Sequence, residues 1–161
     1  MSDVHFRVLI VCSGNTCRSP LAEAYLRAAL GADRDRVQVV SAGTGALDGQ
    51  PATGPAIEVA RRDGVDLAGH RSRRLRIADV AEADLVLVME RLHLNVVRAM
   101  GAPADKTHVL SDWPEPGEPE LEIFDPFGGS IEAYEECWRR VRRHVERVVP
   151  SVREALRTRS A

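Results

Sequence analysis

Four short runs of nearly continuous apolar residues punctuate the chain, at 6–11, 37–40, 85–89 and 107–110. Longer segments separate them, and in these the apolar positions recur every three or four residues. Runs that lack polar alternation belong to strands covered on both faces, so the pattern predicts four parallel strands. Between the first two, Leu21, Ala24, Tyr25, Ala28 and Ala29 form the stripe of a helix lying on a sheet, with Gly31 as its stop and Ser19 and Pro20 as its cap and first residue. Pro55 opens a second helix that Gly64 ends, and residues 91–100 form a third ending at Gly101. Ile131, Tyr134, Trp138, Val141, Val145 and Val148 make one stripe on a long last helix, with Ser130 as its cap and Pro150 as a break or kink. A chain that reads βαβαβαβα, with right-handed crossovers, gives an α/β fold: an open doubly wound parallel sheet with helices on both faces. Neither an internal repeat nor a linker divides it, so residues 1–161 are expected to form a single domain.

Charge narrows the partners. With 22 basic and 24 acidic residues and a formal charge of -2, nothing predicts broad attraction to nucleic acid or to a membrane surface. Residues 61–76 hold six arginines against two aspartates, and residues 111–136 hold nine acidic residues and no basic one. Such runs read as solvated faces. Residues 1–7 lack the basic and apolar regions of a leader, and no apolar stretch approaches membrane-spanning length. Three cysteines make an odd count, which suits a reducing compartment and points to reactive thiols. A cytoplasmic protein is expected, with a monomer as the default.

In an open parallel sheet ligands sit beyond the carboxyl ends of the strands, where strand order reverses. The loop after the first strand reads Cys12-Ser13-Gly14-Asn15-Thr16-Cys17-Arg18 and runs into a helix N-terminus. Its backbone N–H groups and the helix dipole make an anion cradle, and Gly14 and Asn15 both tolerate the positive φ that a tight curl needs. Cys12 at the rim would feel these donors and Arg18, which predicts a low thiol pKa. A thiolate beside an anion site suits covalent phosphoryl transfer, with Arg18 clamping two phosphate oxygens. The leaving group needs a proton, and Asp125 in "FDPFGG", within the proline-marked stretch 111–129, is the candidate acid. Zinc is disfavoured, because C-x4-C within one loop has no second ligand pair. Trp113 and Trp138 read as packing residues, although Trp113 could border the pocket, and His93 reads as a helix residue.

"VCSGNTCRSP" at 11–20, "SAGT" at 41–44, "GHRSR" at 69–73, "ADLVLVM" at 83–89 and "DPFGG" at 125–129 together resemble the low-molecular-weight protein tyrosine phosphatases. The resemblance implies a strand order of 2-1-3-4, Cys12 as nucleophile, Arg18 as phosphoryl clamp, Asp125 as general acid, and no metal or cofactor. It also implies that Ser19 bonds the Cys12 thiolate, that Asn15 holds the strained loop and that His70 ties neighbouring loops. Ser13, Gly14, Asn15, Thr16 and Cys17 would form the phosphate loop, and phosphorylated proteins would be the substrates. Thr16, where tyrosine-specific members carry a bulky aliphatic residue, and "DPFGGSIEAY" with Phe127 look like the protein-arginine phosphatase branch. A hydroxyl on the pocket wall suits a guanidinium, so phosphoarginine is expected, with phosphotyrosine as the alternative. Arsenate reduction needs cysteines near 85–93, where none occurs, and a non-catalytic phosphate or redox module would not need Asp125. Two thiols in one loop also suggest that oxidised Cys12 condenses with Cys17 to a reversible disulfide.

Overall fold

The computed structural model describes residues 5–115 and 122–160, so Pro116 and Pro119 of the proline-marked stretch fall outside it. Four parallel strands, β1 (Phe6–Cys12), β2 (Val37–Gly43), β3 (Leu85–Val88) and β4 (Thr107–Val109), form one sheet in the order β2-β1-β3-β4. The register runs Phe6↔Val37 to Cys12↔Gly43 on one side of β1 and starts at Val8↔Leu85 on the other. Alternate residues of β1 feed two cores. Val8, Ile10 and Cys12 pack with α1 (Arg18–Leu30), α2 (Gly54–Arg62) and α5 (Ile131–Ser160). Leu9 and Val11 pack on the opposite face with α3 (Ile77–Glu82) and α4 (Arg91–Ala99). Burial on both faces is why β1 from Val8 to Val11 and all of β3 are apolar.

Three local expectations need correction. Helix α1 begins at Arg18, with Cys17 as the capping residue, so Ser19 lies inside the first turn and does not cap it. Its buried face is Leu21, Ala22, Leu26 and Leu30, with Ala28 exposed, because the leucines offer more apolar area than the alanines and turn the helix toward themselves. Pro150 does not end α5, which continues to Ser160. Pro150 is exposed while Val152 and Leu156 extend the buried stripe, so packing on one side holds the helix through a residue that lacks an N–H. Ser130 does cap α5, its hydroxyl accepting the Ala133 N–H at 3.2 Å.

Candidate active site

Residues 12–18 link the carboxyl end of β1 to the first turn of α1, so the loop closes on a helix N-terminus and its positive dipole end. Asn15 carries the curl. Its φ is 57°, in the left-handed region, whereas Gly14 stays out of it. Five contacts hold Asn15, which is fully buried. Its side-chain amide donates to Ser19 Oγ at 2.8 Å and to Ser41 Oγ at 2.9 Å, and its Oδ1 accepts the Arg73 N–H at 2.8 Å. Its carbonyl accepts from His70 Nε2 at 2.7 Å, and its own N–H donates to Cys12 Sγ at 3.3 Å. Beneath the loop, a Cβ on Gly43 would overlap the Ser13 carbonyl oxygen and stand 3.0 Å from the Asn15 nitrogen. A glycine there lets β2 support the loop at close range.

Cys12 Sγ lies 2.8 Å from Ser19 Oγ. Burial pushes the Cys12 thiol up from its ordinary value, while the Ser19 hydroxyl, the Arg18 charge and the backbone N–H groups of Ser19 and Asn15 pull it down. Burial prevails. This reverses the low thiol pKa expected from the sequence, because that expectation counted donors and charge but not depth, and Cys12 is only 2% exposed.

Arg18 is buried and held from three sides. Its guanidinium pairs with the Glu90 carboxylate, donates to the Ile123 carbonyl at 3.0 Å and stands 3.5 Å from Asp125 Oδ2. Asp125 remains half exposed and accepts the Phe127 N–H at 3.1 Å. Cys12, Gly14, Asn15, Thr16, Cys17, Arg18, Asp125 and Phe127 line one cavity of about 180 Å³. Cys17 turns its sulfur to Tyr134 Oη at 3.4 Å and Thr53 Oγ1 at 3.5 Å, and all three cysteines are free thiols. Cys137 is buried in α5, and enclosure pushes its thiol up to about 12. Trp113 stacks on His108 at 4.9 Å between ring centroids and does not line the cavity.

Glu90 and His93 are the residues that sequence reasoning missed. Glu90 directly follows β3 and its flanking Met89, and His93, although it lies in α4, is enclosed and bonds Ser13 Oγ through Nε2 at 2.9 Å. The available signal was a Glu-x-x-His spacing at the carboxyl end of a buried strand, where ligand sites gather. Among the described residues no helix is long and apolar enough to cross a membrane.

Residues 7–158 match the family model described as low molecular weight phosphotyrosine protein phosphatase. The chain is 39% identical over 147 residues, 91% of this chain and 95% of the relative, to the probable low molecular weight protein-tyrosine-phosphatase EpsP of Ralstonia nicotianae. It is 36% identical over 154 residues, 95% of this chain and 97% of the relative, to the protein-arginine-phosphatase of Geobacillus stearothermophilus. The crystal structure of the low molecular weight protein tyrosine phosphatase of T. tengcongensis superposes with a TM-score of 0.81 at 34% identity, covering 91% of this chain and 99% of that one. A cysteine-bearing loop between β1 and α1, a strand order of β2-β1-β3-β4 and this near-complete match lead to one conclusion: the chain belongs to the low molecular weight protein tyrosine phosphatase family.

Proposed function

We propose that this protein phosphatase removes the phosphoryl group from phosphoarginine side chains of proteins through a cysteinyl-phosphate. Cys12 gives its thiol proton to a phosphoryl oxygen of the substrate, and Sγ then attacks phosphorus as the thiolate, forming an S–P bond as the P–N bond to the arginine side chain breaks. Asp125 gives its proton to the departing nitrogen. Arg18 and the amides of residues 13–17 carry the negative charge of the transferring group. Water then attacks the S–P bond, Asp125 takes its proton, and phosphate leaves with the thiolate restored. Ser19 and the Asn15 N–H steady that thiolate. The observation carrying this reading is that Cys12, Arg18 and Asp125 line the same small cavity, although Asp125 lies more than a hundred positions along the chain.

The choice of phosphoarginine rests on Thr16. Relatives named for tyrosine, at 39% and 38% identity, stand slightly above the relative named for arginine, at 36%, so the names favour tyrosine and the case for arginine is made by the pocket. Thr16 lines the cavity and is half-buried, with the sulfur of Cys17 at 3.8 Å as a weak partner for its hydroxyl. A hydroxyl so placed serves a guanidinium N–H, whereas a branched hydrocarbon serves a phenyl ring. Phe127, 68% exposed, offers an aromatic face at the mouth that a guanidinium can stack on. The test compares kcat/KM on phosphoarginine and phosphotyrosine peptides for the wild type and Thr16→Ile, with Cys12→Ser as blank. The wild type should prefer phosphoarginine, and the substitution should move selectivity toward phosphotyrosine by roughly tenfold or more. A wild-type preference for phosphotyrosine assigns that substrate instead. Asp125→Ala should slow turnover, which it would not do to a module that only binds phosphate.

A further inference from the structure

Ser13 opens the phosphate loop and Glu90 holds Arg18, and they follow two different strands, β1 and β3. One side chain joins them. His93 Nδ1 lies 3.1 Å from the Glu90 backbone nitrogen, and Nε2 lies 2.9 Å from Ser13 Oγ. A backbone N–H only donates, so Nδ1 is the bare nitrogen and Nε2 carries the hydrogen given to Ser13. The ring is fully enclosed. Burial and then the Arg18 charge press its pKa down to about 4, so near neutral pH the ring keeps that single tautomer.

Adjacent bonds converge on the same junction. Met89 N–H donates to the Val11 carbonyl at 3.2 Å, and the Met89 carbonyl accepts the Ile123 N–H at 3.1 Å. Ile123 in turn offers its carbonyl to Arg18, and the Arg91 N–H reaches the Glu122 carboxylate at 2.9 Å. The nucleophile loop, the arginine and the acid-bearing loop thus all tie to residues 89–93. Filling space does not require an imidazole at position 93, since an apolar side chain of similar volume avoids burying two polar nitrogens.

We propose that His93 is a positioning residue for phosphoryl transfer: by tying Ser13 to the Glu90 backbone it sets the spacing between the phosphate loop and the carboxylate that aims Arg18. The proposal rests on the roles given above to Cys12 and Arg18. His93 reaches no reacting atom and acts through Ser13 and Glu90. Donors fixed before substrate arrives lose much of their effect when displaced by a fraction of an ångström to one ångström.

Steady-state kinetics on an aryl phosphate test it, for the wild type, His93→Leu and His93→Gln, each with its thermal midpoint. Leucine fills the space without a polar atom, whereas glutamine supplies one acceptor and one donor on a similar reach. His93→Leu should lower kcat roughly tenfold to a hundredfold with little change in KM. His93→Gln should recover most of the loss. Wild-type kcat in a folded His93→Leu, or a folded His93→Gln as slow as the leucine variant, overturns the proposal. Where His93→Leu does not fold, Ser13→Ala cuts the same tie from the other side, and an unchanged kcat there overturns it equally. Cys12→Ser runs alongside. A serine variant as active as its parent overturns the nucleophile assignment and this proposal with it, whereas an inactive one beside an unaffected His93→Leu overturns only the role of His93.

Discussion

Cys12 sits under two opposed influences, and in the proposed reaction the outcome at its sulfur decides how readily the first step begins. Burial favours the neutral thiol, while the Ser19 hydroxyl, Arg18 and the Ser19 and Asn15 amides favour the anion. Ser19→Ala removes the hydroxyl contact at 2.8 Å and leaves the depth of the site unchanged, so the Cys12 pKa should rise further. The pH dependence of iodoacetamide alkylation, measured with Cys17 and Cys137 replaced by serine, reads this directly. An unmoved or lowered midpoint would show that the hydroxyl does not hold the thiolate. The same residues show what a sequence discloses at this scale. Cys12, Asn15, Arg18 and Ser19 fall within eight positions, so their chemistry reads as one unit. Glu90 and His93 meet Arg18 and Ser13 from 72 and 80 positions away, and no local pattern announces such a meeting.

Among the elements, the apolar centres of the strands were legible because a strand covered on both faces has to be apolar throughout. Their ends were less so. β2 runs on to Gly43, past the apolar run, because Ser41 and Gly43 serve the loop at 12–18 and not the core: Ser41 bonds Asn15, and Gly43 leaves room for Ser13. The short α3 was not anticipated, since six residues give too little period to see. Helix α5 shows a tertiary constraint overriding a local one. Pro150 withholds an N–H from the Glu146 carbonyl, yet Val148, Val149, Val152 and Leu156 keep both sides of it on the core. Pro150→Ala restores that hydrogen bond and a better helix former at an exposed position, which should stabilise the protein by about 1–3 kcal/mol. For a chain of this length that raises Tm by roughly 2–4 °C per kcal/mol, measurable by calorimetry. A lowered Tm would mean that the helix has adapted to the proline in a way alanine cannot use.

Across the whole molecule, the sheet brings the carboxyl ends of β1 and β3 side by side around His93, and the packing of α5 encloses His144 elsewhere, so two interior histidines resist protonation. Burial and the Arg18 charge hold His93 at about 4, and burial with Arg147, Arg140 and Arg143 holds His144 at about 4, against an ordinary value of 6.5. His108 is lowered as well, first by burial. Because the folded values are depressed, the unfolded chain binds more protons between about pH 4 and 6.5, so stability rises with pH across that window and is level above it. Each fully buried histidine contributes a slope of at most about 1.4 kcal/mol per pH unit. Urea unfolding at pH 7.5, 6 and 5 should therefore show stability falling with acidity before the carboxylates begin to titrate. His144 lies in α5, away from the cavity residues, and its Nδ1 accepts from Arg147 at 3.2 Å, so His144→Gln keeps an acceptor while removing one titrating group. That variant should flatten the slope without altering kcat. A slope as steep in His144→Gln as in the wild type would place the acid sensitivity elsewhere, and no slope between pH 5 and 6.5 would mean that neither buried ring governs stability.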